Sequence, residues 1–320
     1  MNNYCREVFL LFFVCILCSC SELPIKASEE RTMESSEVSP EGCIIEKSSI
    51  YSKCMGREIK SVVVLPPEYK NYPNKLYPIL YTLHGKGAPY NTWSEMSPLR
   101  NALKDKPMIV TCFDGDNASM YLDSDILQTN YLRIGKGQKK PDKVEPVKSM
   151  FTTFFFDEFV PCIDKNYRVN PKQRMITGFS MGGFGAFHYM LTKPDFFVSV
   201  SSLSGAFMSI FDAKDEKQVL RIESLLEPLL GPINENRKKY EEVDIYFRIK
   251  KYAENKQKLP LMFLHCGTED PLVESGRKFK KFLEENGYTC KYLETPGKHD
   301  WTFWKGASKG IIDFHWESLK

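Results

Sequence analysis

A serine stands among four glycines in the stretch GFSMGGFGAF, residues 178–187. Glycine loses more conformational freedom on folding than other residues, so such a cluster needs a geometric reason. Its first five residues match G-x-S-x-G, a pattern in which a sharp strand-to-helix turn exposes a serine hydroxyl. An incidental serine in a glycine-rich turn is the alternative, which the strand-like run before it and the helical pattern after it disfavour. The pattern predicts that Ser180 is a nucleophile.

A serine hydroxyl is a weak nucleophile at neutral pH and needs a neighbouring base. Of the five histidines, His299 lies in PGKHDWTFW, directly after the last strand-like run. We expect a loop there, which would bring His299 to the edge of the sheet where Ser180 lies; an ordinary surface histidine is the alternative. His188 and His265 fall inside helical and strand patterns, and we expect both to pack in the interior.

The base in turn needs a carboxylate that fixes its tautomer and stabilises its charged form. The stretch HCGTEDP, residues 265–271, ends a strand-like run and offers Glu269 and Asp270. Capping of the next helix is the simpler role for Asp270. However, the chain order Ser180, Asp270, His299 is the order of nucleophile, acid and base in one large class of hydrolases. We therefore predict that Asp270 is the acid.

A tetrahedral oxyanion is stabilised by backbone N–H groups. The stretch LHGKGAPYNTW, residues 83–93, ends a strand-like run in His-Gly and continues as a loop. We predict that one donor is the N–H group near Lys86 and the other is that of Met181, at the N-terminus of the helix after the nucleophile. His84 is expected to fix this loop rather than to act as a base.

Short apolar runs alternate with helical patterns along most of the chain. This alternation predicts an α/β domain whose central sheet is mostly parallel and flanked by helices. Two β-rich runs at the start of the domain predict a hairpin near a sheet edge. The strand-like runs are 78–85, 108–115, 174–180, 197–205, 259–267 and 290–297, and the clearest helices are 152–166, 182–192 and 272–286.

Two stretches interrupt this alternation. Residues 134–149 are polar and basic without periodicity, which predicts a long surface loop. Residues about 206–258 contain several amphipathic helical segments between two strand-like runs. We expect these helices to form a cap inserted into the α/β domain.

The four motifs together resemble the esterase D-type branch of the α/β hydrolases. This branch includes feruloyl and acetylxylan esterases of carbohydrate esterase family one, S-formylglutathione hydrolases and mycolyltransferases. The likeness extends from about Ile59 to Trp304 and includes YPILYTLHGKG, FDGDNASMYLDS, FVPCIDKNYRV, RMITGFSMGGFGAF and CGTEDP…PGKHDWTFW. It implies the α/β-hydrolase fold, the same triad and oxyanion donors, and no metal or organic cofactor. One departure is Ala88, where relatives often have a further glycine.

Four aromatic residues follow or flank these motifs: Trp93, Tyr121, Trp301 and Trp304. We predict that they line a pocket for an acyl group or a sugar, with packing in the core as the alternative for each.

The N-terminus predicts export. Residues 8–17, VFLLFFVCIL, are too short to span a bilayer but fit the apolar region of a signal peptide, here residues 1–19. The following LCSC resembles a bacterial lipoprotein box, which would make Cys20 the lipidated residue; an ordinary cleaved signal is the alternative. Residues 20–41 are rich in glutamate and poor in apolar residues, so we expect a flexible tether before a catalytic domain at 42–320.

Net charge and cysteine positions bear on whether the protein binds nucleic acid, holds a metal ion or forms disulfides. The net charge of +3, with basic residues spread along the chain, gives no reason to expect a nucleic-acid partner. Six cysteines remain after Cys20, and their scattered positions do not form a metal-type pattern. Spacing favours a Cys43–Cys54 disulfide, although most of the six fit equally well as small buried apolar residues.

The motifs and the leader together predict an exported serine carboxylesterase, attached by a lipid to the periplasmic or cell-surface side of a membrane. Its expected substrates are acylated carbohydrates, such as feruloyl or acetyl esters of plant polysaccharide. Three alternatives stay open: S-formylglutathione hydrolysis, acyl transfer to an acceptor alcohol, and a non-catalytic carbohydrate-binding lipoprotein.

Overall fold

The computed structural model describes residues 31–129, 143–211 and 216–320. Eleven strands are present in these ranges. They are β1 (Arg31–Val38), β2 (Ile44–Ser52), β3 (Arg57–Leu65), β4 (Tyr77–Leu83), β5 (Ile109–Phe113), β6 (Asp123–Thr129), β7 (Pro146–Met150), β8 (Val169–Phe179), β9 (Ser199–Leu203), β10 (Leu261–Gly267) and β11 (Cys290–Thr295).

The helices follow the predicted alternation with the strands. They are α1 (Ser97–Ala102), α2 (Phe151–Thr153), α3 (Val160–Asn166), α4 (Met181–Thr192), α5 (Glu216–Leu230), α6 (Arg237–Val243), α7 (Ile245–Glu254), α8 (Val273–Glu285) and α9 (Trp301–Glu317). A π-helical segment, Phe154–Phe159, joins α2 to α3 into one continuous helical stretch. The predicted helices at 152–166, 182–192 and 272–286 are thereby confirmed.

Nine strands form one sheet in the order β1-β2-β3-β5-β4-β8-β9-β10-β11. The six strands from β5 to β11 are parallel, whereas β1, β2, β3 and β5 pair antiparallel. Every residue of β4, β5 and β9 is buried. Such continuous burial is expected of parallel strands with helices on both faces. The predicted α/β-hydrolase architecture, with a mostly parallel sheet flanked by helices, is confirmed.

Side chains alternate between the two faces of the sheet and divide the core in two. On one face, Ile79 and Tyr81 of β4 belong to an apolar cluster that includes residues of α3, α4 and α8. On the other face, Leu80 belongs to a second cluster that includes residues of α1 and α9. Both faces of the sheet are therefore covered, and the ends of its parallel strands are where loops can hold functional side chains.

The prediction of a flexible tether at 20–41 is wrong for the part of it that the structure describes. Residues 31–38 form β1, the outer strand of the sheet, which pairs antiparallel with β2. Arg31 forms an ion pair with Glu46 (3.0 Å), and Glu41 forms one with Arg100 (2.7 Å). Because main-chain hydrogen bonds to a strand edge require no apolar side chains, the polar composition did not reveal this strand. Residues 1–30, with the predicted signal peptide and Cys20, lie outside the described residues.

The long loop predicted at 134–149 is also partly wrong. Residues 146–150 form β7, which pairs antiparallel with β6 in a separate two-stranded sheet. Residues 134–142 are not among the described residues. The helices predicted within 206–258 are present as α5, α6 and α7, between β9 and β10. Helix α5 packs on β6, and α7 packs on α4 and α8; a cap over the site stays a prediction.

The six described cysteines are all free thiols, so the Cys43–Cys54 disulfide is a wrong prediction. Cys43 is buried, and its Sγ donates to the carbonyl of Arg100 (3.5 Å). The Cys54 Sγ contacts the Ser52 hydroxyl instead (3.3 Å). Within 31–129, 143–211 and 216–320, no cluster of side chains could hold a metal ion, and no helix is long and apolar enough to cross a membrane.

Candidate active site

Ser180 occupies the turn between β8 and α4 and has φ 54° and ψ −117°. A positive φ is unusual for a residue with a side chain and is held only where the surroundings enforce it. Here they do: a Cβ atom on Gly178 would lie 2.2 Å from the carbonyl oxygen of Gly182, and one on Gly182 would lie 2.2 Å from that of Leu83. The glycines of the motif therefore allow backbone contacts that any side chain would prevent.

The structure brings together the three side chains predicted as nucleophile, base and acid. His299 lies between β11 and α9, and its Nε2 is 2.9 Å from the Oγ of Ser180. Its Nδ1 is 2.8 Å from Oδ2 of Asp270, which follows β10. The His299 side chain is 27% exposed, whereas that of Asp270 is fully buried. The imidazole thus connects a buried carboxylate to a hydroxyl, and its exposed part faces solvent.

Asp270 is held in place by several hydrogen bonds. Its Oδ1 accepts from the backbone N–H of Leu272 (2.7 Å), and its Oδ2 faces His299. Burial acts to raise the pKa of Asp270, but the hydrogen bonds from His299 and the Leu272 amide, together with the nearby Ser204 hydroxyl, outweigh it, so the pKa lies below its ordinary value. The carboxylate is therefore ionised at neutral pH and can stabilise a positive charge on His299.

Sequence reasoning did not identify Ser204, the residue directly after β9. Its φ is 50°, and its hydroxyl accepts a hydrogen bond from Nε1 of Trp304 (3.2 Å). The Trp304 ring also stacks on Phe179 (4.5 Å between centroids) and meets the His299 ring edge-on (4.9 Å). Trp304 therefore touches the residue before the nucleophile, the imidazole and the hydroxyl of Ser204. The only sequence signal was the position of Ser204 at a strand end.

The His84–Lys86 loop lies beside the nucleophile: a Cβ atom on Gly85 would be 3.2 Å from that of Ser180. His84 is fully buried, and its Nε2 accepts from the N–H of Gly115 (2.8 Å). Its Nδ1 therefore carries the proton and donates to the carbonyl of Gly85 (2.9 Å). Burial lowers the pKa of His84, and the nearby Asp114 carboxylate does not fully compensate, so the ring is neutral.

This contact orients the predicted oxyanion donor. The Gly85 carbonyl and the Lys86 N–H belong to one trans peptide group and point in opposite directions. By holding the carbonyl, His84 fixes the direction of the Lys86 N–H. The Met181 N–H belongs to the first turn of α4, where backbone donors lack acceptors within the helix. In the described parts of the chain, neither N–H is hydrogen-bonded.

Two of the four aromatic residues predicted to line a substrate pocket do not do so. Trp93 is buried and donates from Nε1 to the carbonyl of Leu83 (3.1 Å). Tyr121 is also buried and donates from its hydroxyl to the carbonyl of His84 (2.9 Å). Both side chains use their polar atoms to hold the loop beside Ser180, which alternation along the sequence could not reveal. For the partly exposed Trp301 and Trp304, contact with substrate stays a prediction.

The interior histidines do not compete for the role of base. His188 is buried on α4 and contacts Thr152 and Arg248. His265 lies within β10, and its Nε2 contacts the hydroxyl of Thr295 (2.9 Å). Burial lowers the pKa of both.

Comparison with known proteins finds one matching family model, described as "Putative esterase", over residues 52–310. An acetyl esterase of Caldicellulosiruptor saccharolyticus is 25% identical over 282 residues, 84% of this chain and 96% of that protein. An endo-1,4-beta-xylanase/feruloyl esterase of Xylanibacter ruminicola is 27% identical over 188 residues, 55% of this chain. This match covers only 23% of that longer relative.

Solved structures show the same fold at lower sequence identity. An S-formylglutathione hydrolase from Agrobacterium tumefaciens superposes with a TM-score of 0.69 at 18% identity, covering 90% of this chain and 100% of that one. A CE1 ferulic acid esterase from Anaeromyces mucronatus superposes with a TM-score of 0.59 at 19% identity, covering 89% and 100%. The chain therefore belongs to the esterase family, has the α/β-hydrolase fold and is a serine hydrolase that acts on carboxylic ester bonds.

Proposed function

We propose that this protein is an exported carboxylesterase that removes acyl groups from carbohydrates, with Ser180 as nucleophile, His299 as base and Asp270 as acid. The observation that carries the proposal is the continuous hydrogen-bonded series from the Ser180 hydroxyl through His299 to the buried Asp270 carboxylate. This series supplies a weak nucleophile with a base and supplies the base with a fixed orientation.

The first half of the reaction forms an acyl-enzyme. As the Oγ of Ser180 attacks the ester carbonyl carbon, Nε2 of His299 takes the hydroxyl proton. The Asp270 carboxylate accepts from Nδ1–H and stabilises the imidazolium. The carbonyl oxygen becomes an oxyanion that accepts from the N–H groups of Lys86 and Met181. Collapse of the intermediate breaks the ester C–O bond, and the alcohol leaves with the proton from His299.

The second half releases the acid. A water molecule gives a proton to Nε2 of His299 and attacks the acyl carbon. As the second tetrahedral intermediate collapses, the bond from the acyl carbon to the Oγ of Ser180 breaks, and His299 returns the proton from Nε2 to that Oγ. Backbone donors suit both halves, because they are fixed before the charge develops. Removal of one such donor in other enzymes costs on the order of 100- to 1000-fold in kcat.

The substrate class is proposed from two further observations. The acetyl esterase relative aligns along 96% of its length, and the xylanase/feruloyl esterase relative links the same family to plant polysaccharide. The predicted leader would export the chain from the cytoplasm. Polymeric carbohydrate is available outside the cell. Attachment through Cys20 and a periplasmic or surface position are part of this proposal.

The test compares the wild type with Ser180→Ala on p-nitrophenyl acetate, methyl ferulate and acetylated xylan. We expect the variant to lose activity on all three. Ser224→Ala is the matched control, because the side chain of this exposed serine on α5 donates to the carbonyl of Arg221 and has no other hydrogen bond within the described residues. Equal rates for the wild type and Ser180→Ala would refute the role of Ser180.

The same assay decides the substrate class. With S-formylglutathione added as a substrate, its turnover together with inactivity on methyl ferulate and acetylated xylan would replace the carbohydrate proposal with thioester hydrolysis. Transfer of the acyl group to an added alcohol, followed by product analysis, would identify an acyltransferase. Absence of labelling by a fluorophosphonate probe would favour a non-catalytic binding protein.

A further inference from the structure

A large cleft lies away from the three side chains Ser180, His299 and Asp270. Its volume is about 1020 Å³, and its wall is formed by residues of β6, the second half of α4, and α5 to α7. His188, the α4 residue nearest to the site among those in the wall, is eight residues after Ser180, about 12 Å along the helix axis. We call this space the Arg248 cleft after the side chain that distinguishes it.

Arg248 is a partly buried cation whose side-chain hydrogen bonds, within the described ranges, all go to neutral groups. Its Nη1 donates to Nδ1 of His188 (3.0 Å) and to the His188 carbonyl (3.4 Å), and its Nη2 donates to the hydroxyl of Thr192 (3.2 Å). No ion pair within the described ranges includes Arg248. Burial is the main cause that lowers its pKa below the ordinary arginine value. A charge that is partly removed from water is normally paired, so this one calls for an explanation.

His188 does not supply the missing negative charge, and it cannot become a competing cation. Because Arg248 donates to its Nδ1, the proton sits on Nε2, which lies 3.1 Å from the hydroxyl of Thr152. Burial, and then the charge of Arg248, lower the pKa of His188 well below its ordinary value. The imidazole is therefore a neutral acceptor that holds the guanidinium in place.

The acidic residues of the wall are mostly engaged elsewhere. Asp123 accepts from the backbone N–H groups of Thr152 and Thr153 and from the hydroxyl of Thr153. Asp125 pairs with Lys239 (3.1 Å). Glu241 pairs with Arg237, which is not part of the wall (2.9 Å).

After these pairings, the wall retains more positive than negative charge. Asp123 and Glu242 remain as acidic residues without an ion pair in the part of the chain that the structure describes, and the charge of Glu242 acts on Arg248. Three cations oppose these two carboxylates: Arg248, Lys238 and Lys251. The cleft therefore favours an anion, and the guanidinium, with its planar set of donors, is suited to a carboxylate.

We propose that the Arg248 cleft binds a carboxylate-bearing sugar, such as a uronic acid unit of the polymer from which the enzyme removes acyl groups. The sugar part of this proposal rests on the proposed function. Hydroxyl and amide side chains in the wall, from Thr192, Asn255 and Gln257, match a ligand rich in hydroxyl groups. Phe247 and Tyr252 add aromatic surface on which a sugar ring can pack.

The test measures binding rather than hydrolysis, and it uses the full chain carrying Ser180→Ala so that catalysis plays no part. Isothermal titration at low salt compares glucuronate with its neutral analogue glucuronamide. We expect glucuronate to bind at least tenfold more tightly. This comparison needs no change in the cleft, and failure of the proposed esterase activity would leave its result unaffected. Equal binding of the two sugars, or no binding of glucuronate, would overturn the proposal.

Variants then locate the site. Arg248→Gln is expected to weaken glucuronate binding at least tenfold, while Arg221→Gln, at an exposed residue of α5 outside the wall, leaves it unchanged. Thermal unfolding checks that each variant is folded, and Arg248→Lys replaces the first variant if it is not; loss of the planar donor set should still weaken binding severalfold. Unchanged binding in a folded Arg248 variant would refute the assignment. Inorganic phosphate that binds more tightly than glucuronate would also overturn it, by showing a phosphate site.

Discussion

Replacement of Asp270 by asparagine preserves the size of the side chain but should disable His299. In the structure, the Leu272 N–H donates to Oδ1 (2.7 Å) and Nδ1 of His299 faces Oδ2 (2.8 Å). An asparagine must place its oxygen toward the Leu272 N–H, because its NH₂ group cannot accept a hydrogen bond. The NH₂ group then faces Nδ1 of His299. The imidazole is forced into the tautomer with its proton on Nε2, which cannot take the proton of Ser180.

The expected loss follows from this change of tautomer. An asparagine at the equivalent position of a serine protease lowers kcat about 10⁴-fold, which corresponds to about 5.4 kcal/mol of transition-state stabilisation. We expect a similar loss for Asp270→Asn, measured as kcat/KM on p-nitrophenyl acetate. Thermal unfolding of the variant shows whether the fold is intact. The acid partner of His299 would then be identified by function as well as by position.

Glu269→Gln is the matched control, because it makes the same chemical change at the adjacent residue. Glu269 is exposed, and its carboxylate lies 3.9 Å from the ammonium group of Lys298. We expect its kcat/KM to stay within about fivefold of the wild type, since an exposed ion pair contributes under about 1 kcal/mol. A folded Asp270→Asn variant with more than a tenth of wild-type activity would refute the tautomer argument. Loss of activity in Glu269→Gln alone would assign the acid to Glu269.

Three further predictions test other features. Ser204→Ala should lower kcat/KM by roughly 2- to 10-fold in the esterase assay, because it removes the hydrogen bond that holds the Trp304 ring beside His299 (3.2 Å) and a neutral hydrogen bond contributes about 0.5–1.5 kcal/mol; an unchanged rate would contradict this positioning role. Gly182→Ala should abolish folding or activity, as circular dichroism and the same assay would show, because its Cβ would lie 2.2 Å from the carbonyl oxygen of Leu83. Glu41→Gln should make the free energy of unfolding less dependent on pH in acid. Hydrogen bonding to Arg100 lowers the pKa of Glu41 from 4.5 to about 2. This carboxylate therefore stabilises the fold above pH 4.5 and loses its effect as the pH falls to about 2. Urea unfolding across that range would show equal pH dependence in both proteins if the ion pair were irrelevant.

Sequence patterns predicted the parallel sheet because its strands are nearly all apolar. Burial on both faces demands such runs, and they can be recognised without knowledge of neighbours. The glycines around Ser180 were equally informative, since the close backbone approach that they allow excludes other residues. The order of Ser180, Asp270 and His299 along the chain predicted a contact that the structure then showed.

Features that depend on tertiary contacts were missed. The strand β1 is polar and exposed, because its order comes from main-chain pairing with β2. Trp93 and Tyr121 lie close in sequence to motifs that form the site, but in the structure both are buried beneath the His84–Lys86 loop and do not line a pocket. Ser204 and Arg248 act through partners about 60 or more residues away in sequence, and no local pattern points to such pairs.

If the proposed lipid attachment at Cys20 is present, the position of β1 limits how far from the membrane the enzyme works. If Cys20 carries a lipid, the eleven residues from Ser21 to Arg31 span at most about 40 Å when fully extended. The strand β8, which leads to Ser180, lies five strand positions from β1, or about 24 Å across the sheet. A linker of this length would keep the active site within a few nanometres of the membrane. The enzyme would then reach polymers that lie against the cell envelope and would not reach distant ones.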